Sequence, residues 1–250
     1  MLDLNSDLGE GVGSVEVADD DALLSIVSSA NIACGFHGGD ASIMRRTCER
    51  AVSGGVRIGA HISYPDLEGF GRRPMDLPPA QVGDQTLYQI GALDAAARVA
   101  GDRIRYVKPH GALYHSASSD PELADAIVAA MRAFDPHLAL LGPHRSELER
   151  AATRHEIAFF AEGFVDRAYT ESGDLVPRSE PGAVLGQRAA LAQALSLATS
   201  GTAAVAGTGD RVTVPARSLC VHGDSPDAVA MARAVRAALV EQGIEIRPFT

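Results

Sequence analysis

Gly101-Asp102-Arg103-Ile104-Arg105-Tyr106-Val107-Lys108-Pro109-His110-Gly111 is the stretch whose reading decides the fold. Gly101 follows an apolar-periodic segment, roughly Pro79 to Ala100, at the point where a helix stops on a left-handed residue. Ile104 to Lys108 is then a short run with strand character, closed by a breaker pair, Pro109 and Gly111. Helix, short strand, then a polar strand end is the unit to look for elsewhere.

It recurs along the chain. Strand candidates are Leu2 to Ser6, Ala30 to Cys34, Val56 to His61, Ile104 to Lys108, Leu138 to Leu141, Ile157 to Glu162 and Ser218 to Val221. Helical stretches between them run roughly Asp20 to Val27, Ala41 to Ser53, Pro79 to Ala100, Pro121 to Phe134, Arg145 to Arg154 and Ala183 to Thr199, with a last one near Pro226 to Glu241. Asp120-Pro121 and Ser225-Pro226 each place a capping side chain before a proline at the first helical position. Such alternation implies a parallel sheet. The glycine fingerprint of an open dinucleotide-binding sheet is missing after the first strand, so a closed α/β barrel is expected. Seven strands rather than eight make it irregular, in one domain over residues 1–250. Two segments break the pattern, Ser63 to Pro78 and Phe164 to Gly182. Both are long and rich in Gly, Pro and charge, as functional loops are. Ala203 to Ala216 has the pattern of a small hairpin.

The chain has 250 residues, 46% of them hydrophobic, enough for one large core. A formal charge of −10 without a basic patch argues against nucleic acid as a partner. No run of eighteen apolar residues argues for a membrane span. The first residues lack a basic region followed by an apolar run, so no secretory signal is expected. Cys34, Cys48 and Cys220 have no metal-type spacing, and reduced thiols in a cytoplasm are the simplest expectation. No Gly-x-x-x-x-Gly-Lys-Ser/Thr loop is present, so any use of ATP needs another geometry or another chain.

In a parallel barrel the site forms at the carboxyl ends of the strands. Here those ends carry Asn5, Asp7 and Glu10; His37 and Asp40; His61; Lys108 and His110; Glu162 leading to Asp166 and Arg167; and His222 with Asp224. Four of eight histidines thus fall at expected strand ends. Asn5 and Asp7 alternate on one strand, as do Lys108 and His110, so each pair faces one side. Lys108 is the only lysine among 22 basic residues, which suggests a need for an amine. Arg72 and Arg73, in a Gly-rich loop, suit a carboxylate or phosphate. The bland readings are a loop cap for Asp7, a tight turn around His37, a core histidine at His61 and solvated charge for the two arginines. His115, His137, His144 and His155 look peripheral.

At these same segments the sequence resembles the LamB/YcsF family, identified with the A component of bacterial 5-oxoprolinase. The resemblance lies in residues 3–10, 31–40, 59–66 and 69–73, in Val107-Lys108-Pro109-His110-Gly111-Ala112-Leu113-Tyr114, in Ala161 to Tyr169 and in Cys220-Val221-His222-Gly223-Asp224. Ile62, Gly39 and Val165 depart from the family's usual residues without removing an acid–base side chain. The resemblance implies the irregular seven-stranded barrel of polysaccharide deacetylases. It also implies ATP-coupled hydrolysis of 5-oxo-L-proline to L-glutamate, shared with subunits B and C, which phosphorylate the amide oxygen before the barrel completes ring opening.

That chemistry needs a general base, with Asp7, His61 and His110 the candidates, and a cation for developing charge, Lys108 helped by Arg72. Asn5, Glu10, His37, Asp40, Arg72, Arg73, Asp166 and His222 are expected to hold substrate. A stand-alone metal-dependent amide hydrolase is the rival reading, with Asp7, His37 and His61 around a divalent ion. A non-catalytic binding subunit is a third.

Overall fold

The computed structural model describes residues 1–223 and 227–250; Asp224 and the cap expected at Ser225-Pro226 lie outside the described residues. In chain order the elements are β1 (Asp3–Leu8), α1 (Asp20–Leu24), β2 (Ser29–Ala33), α2 (Ala41–Gly54), β3 (Arg57–Ile62), α3 (Pro79–Ala100), β4 (Tyr106–Pro109), α4 (Gly111–Ser119), α5 (Pro121–Phe134), β5 (Ala139–Gly142), α6 (Glu147–Arg154), β6 (Ala158–Phe164), α7 (Gln187–Ser200), β7 (Thr202–Ala204), β8 (Arg211–Thr213), β9 (Ser218–Cys220) and α8 (Ala228–Glu241). Seven parallel strands close into a barrel in the order β1-β2-β3-β4-β5-β6-β9, with β9 paired to both β6 and β1. β7 and β8 form the small antiparallel hairpin outside it.

Local chemistry sets most boundaries. Asp120 accepts from Glu122 N and Leu123 N ahead of Pro121, starting α5. Gly101, at φ 98°, ends α3. Among the described residues, the one helix the sequence reading misses is α4. It begins directly after His110 with no side-chain cap, so nothing local announces it.

Strand alternation sorts β1 cleanly. Leu4 and Leu8 belong to the apolar core, while Asp3, Asn5 and Asp7 turn into the barrel. The interior they enter is polar and densely bonded. Asn5 donates to Ser218 at 2.6 Å, Asn31 donates to Asn5 Oδ1 at 2.7 Å and Asp7 Oδ1 at 2.8 Å, and the Tyr106 hydroxyl donates to Asn31 Oδ1 at 2.7 Å. Room for the Tyr106 ring comes from Gly59 on the neighbouring strand, where a Cβ would lie 2.2 Å from ring carbons. Phe249 packs on Tyr106 and Phe160, with ring centroids 4.9 and 4.8 Å away.

The loop 63–78 folds over the carboxyl end of the barrel. Asp66 anchors it, accepting from Gly69 N and Arg73 N at 3.1 Å and from Arg73 Nε at 2.7 Å. It is stapled to α4 where Ala112 N donates to Gly71 O at 2.8 Å. Gly111 permits this approach: its φ is 53°, and a Cβ there would sit 2.5 Å from Gly71 O.

Candidate active site

A cavity of about 310 Å³ opens at the carboxyl end of the barrel. Asp7, Glu10, His61, Lys108, His110 and His222 line it, from the ends of β1, β3, β4 and β9 or the turns that follow them. The long loops supply Phe70 and Arg72 from one side and Arg167, Leu175, Pro177 and Arg178 from the other.

Lys108 is buried at 2% exposure, with Nζ 2.7 Å from Glu162 Oε1 and 3.1 Å from Asp7 Oδ1. Burial pulls its pKa down, but Asp7, Cys220 and Glu162 more than reverse that and hold the amine well above its usual range. Burial likewise pushes the Asp7 carboxyl up, and its neighbours, His61 and Lys108, overcome it, leaving the acid well below 3.8. The pair is therefore an ammonium and a carboxylate.

Three imidazoles stand together beside it. His61 Nε2 lies 3.3 Å from Asp7 Oδ1 and 3.0 Å from His110 Nδ1. The His110 ring stacks on His37, centroids 3.8 Å apart. Burial, and then their like neighbours, press the pKa of His110 well below 6.5, and burial followed by His61 does the same to His37. Across the cavity His222 behaves oppositely. Burial lowers it, but Asp166, 2.8 Å from its Nδ1, raises it above 6.5. The site thus pairs neutral acceptors on one wall with a protonatable donor on the other.

Several expected site residues are placed elsewhere. Asp40 caps α2, accepting from Ser42 N at 2.8 Å, Ile43 N at 2.9 Å and Gly13 N at 3.0 Å, so its acceptor capacity is spent on backbone and it does not line the cavity. Arg73 is tied to Asp66 and 61% exposed, outside the lining. Asn5 lies deeper in the barrel, 3.4 Å from Lys108 Nζ. Asp166 is off the cavity lining and is hydrogen-bonded to His222, which lines it. His37 Nε2 lies 3.1 Å from Glu10 Oε1, and among the described residues the ligand atoms of Glu10, His37, His61 and His110 lie within 4.8 Å of one another, while Asp7 groups instead with Cys220 and His222; Asp7, His37 and His61 are therefore not one convergent set. His115, expected to be peripheral, lines the cavity. Glu162, given no role by the sequence, is the closest carboxylate to Lys108; its position at the end of β6 is the available signal. Arg178 arrives on a loop whose course no local pattern announces.

The LamB/YcsF family model matches residues 2–250. The chain belongs to the LamB/YcsF family. Among family relatives, a Nocardia farcinica protein named as the A component of 5-oxoprolinase is 59% identical over 99% of both chains. A protein of the same name from Methylococcus capsulatus is 50% identical over 98% of this chain and 94% of its own. The crystal structure of a lactam utilization protein from Thermus thermophilus superposes with a TM-score of 0.94 at 43% identity, covering 99% of both chains. A family 4 carbohydrate esterase from Streptomyces lividans shares the fold alone, with a TM-score of 0.51 at 10% identity, over 100% of this chain and 93% of that one. The barrel expected from the sequence, deacetylase-like and seven-stranded, is thus the one present.

Proposed function

We propose that this chain is the ring-opening subunit of an ATP-driven 5-oxoprolinase, acting on 5-oxo-L-proline that partner subunits B and C have activated by phosphorylating the amide oxygen. The naming of its relatives as a 5-oxoprolinase component supports the substrate. The observation that carries the chemistry is Lys108, an ammonium buried between Asp7 and Glu162 on the cavity wall, with neutral imidazole on one side and an Asp166-backed imidazole on the other.

In this reading the arginines of the two loops, Arg72, Arg167 and Arg178, receive the substrate carboxylate and phosphate. A water adds to the activated amide carbon, and its proton passes to the acceptor group formed by Glu10, His61 and His110. Lys108 faces the charge that grows on oxygen. As the carbon–nitrogen bond breaks, His222 protonates the departing ring nitrogen and Asp166 holds the imidazole. The product is glutamyl phosphate, whose hydrolysis gives glutamate and phosphate. ATP itself is assigned to the partner subunits, consistent with the missing phosphate loop.

The test is co-expression with both partner subunits and assay of glutamate released from 5-oxoproline. Release is expected only with ATP and all three chains, and Asp7→Asn is expected to abolish it while the assembly still forms. Full turnover by an assembly carrying Asp7→Asn would remove the barrel from the chemistry.

A further inference from the structure

Two of the cavity's imidazoles are fixed in tautomer by backbone carbonyls, which can only accept. His61 Nδ1 lies 3.1 Å from Lys108 O, and His110 Nε2 lies 2.8 Å from Phe70 O. Each ring therefore carries a hydrogen on that nitrogen and, in its neutral form, turns its lone pair the other way. The two lone-pair nitrogens, His61 Nε2 and His110 Nδ1, face each other at 3.0 Å. Glu10 Oε1, a third acceptor, lies 3.6 Å from His110 Nδ1. All three side chains are buried. Acceptors aimed at one another in a buried gap repel unless a cation sits between them.

We propose that Glu10, His61 and His110 are the three protein ligands of a divalent first-row transition ion, zinc being the reference case, with the remaining coordination position open to the cavity. The spacing suits it: metal–ligand bonds of about 2.0–2.1 Å in a tetrahedron put neighbouring donors about 3.4 Å apart, against 3.0 Å for His61–His110 and 3.6 Å for Glu10–His110. Two imidazoles with one carboxylate select this class of ion over magnesium or calcium. The surroundings supply the outer contacts such sites use. Lys108 O and Phe70 O orient the imidazoles, and His37, off the cavity lining, stands 3.1 Å from the same Glu10 oxygen. Asp7 is adjacent, but its Oδ1 already accepts from Asn31 and Lys108 and is left out of the ligand set. A bound ion would occupy the lone pairs that otherwise accept the proton of the attacking water, and would supply in their place Lewis acidity toward a carbonyl or phosphoryl oxygen and a bound water of lowered pKa.

The site shares side chains with the lactam reading but stands without it, because occupancy is measured with no substrate present. The full-length chain, stripped with a chelator and dialysed, is titrated with zinc in competition with a chromogenic chelator. One tight equivalent per chain is expected, with a rise in melting temperature on addition. Cobalt is expected to give the visible absorption of a four-coordinate site. Glu10→Gln and His110→Ala are expected to lose the tight equivalent, His37→Ala to weaken it by about 10- to 100-fold, and His144→Ala, at a peripheral histidine, to keep it. Circular dichroism of the metal-free variants separates lost ligation from lost fold, and the wild-type titration needs no variant. Absence of a tight equivalent in the wild type would overturn the proposal, leaving a shared proton between the imidazoles. So would tight binding that survives both Glu10→Gln and His110→Ala.

Discussion

Lys108 Nζ lies 2.7 Å from Glu162 Oε1, an ion pair joining β4 to β6 across the inside of a closed barrel. Removing the cation leaves Glu162 and Asp7 as two buried carboxylates with no ammonium between them. Lys108→Met is therefore expected to cost about 3–5 kcal/mol of stability, measured by denaturant unfolding. In the assembled enzyme the same change is expected to lower kcat by at least about 100-fold. An active, fully stable Lys108→Met protein would contradict both roles.

His222 takes its raised pKa from Asp166 acting against burial. Asp166→Asn is expected to drop the His222 pKa, followed by NMR titration of the imidazole. With His222 as the acid, the alkaline limb of the pH–rate profile moves to lower pH by the same interval. A limb that stays in place while the NMR pKa falls would take His222 out of the proton transfer.

Asp3 is buried at the other end of β1, where burial raises its pKa from 3.8 to about 6 despite hydrogen bonds from Ser218, Ser28 and Ser29. The folded state therefore binds its proton more tightly than the unfolded state. Its contribution to stability is fully present below about pH 3.8 and declines as pH rises through about 6. A difference of this size corresponds to about 3 kcal/mol. Asp3→Asn removes the titration, so variant minus wild-type stability should increase across that window and level off above it. Melting curves at matched pH values measure this; a difference independent of pH would place the Asp3 pKa near its ordinary value.

Gly59 is pressed against the Tyr106 ring by the β3–β4 register. Gly59→Ala is expected to destabilise the fold by about 1–3 kcal/mol through overpacking, with most of the loss recovered in a Gly59→Ala, Tyr106→Leu double variant. Equal loss in the single and double variants would show that the contact is not the cause.

Asp40→Ala tests a side chain whose strand-end position suggests substrate binding but whose contacts are those of a helix cap. A lower melting temperature with unchanged kcat and KM is expected; a raised KM with unchanged stability would restore the binding role.

Much of the barrel is legible in the sequence because each unit is local. Gly101, Asp120 with Pro121, and the apolar runs fix where α3, α5 and the strands stop and start through backbone conformation and capping alone. The site is partly legible for the same reason: strand ends converge in a parallel barrel, so Asp7, His61, Lys108 and His110 can be gathered without coordinates. Asp40 and Arg73 defeat such a reading because a carboxylate or guanidinium near a strand end looks the same whether it meets a ligand, Ser42 N or Asp66. Glu162 escapes it because its significance is Lys108, far earlier in the chain.

By itself, then, the chain's order of residues determined the alternation of helices and strands, their number in the barrel and the set of ionisable groups delivered to one end, since these follow from interactions within a few positions. Only the tertiary structure decided which acceptor faces which donor, which histidine lines the cavity and which stands off its lining, and that two imidazole nitrogens meet at 3.0 Å. Those outcomes depend on barrel register and loop closure, where a shift of one residue turns a side chain to the opposite face.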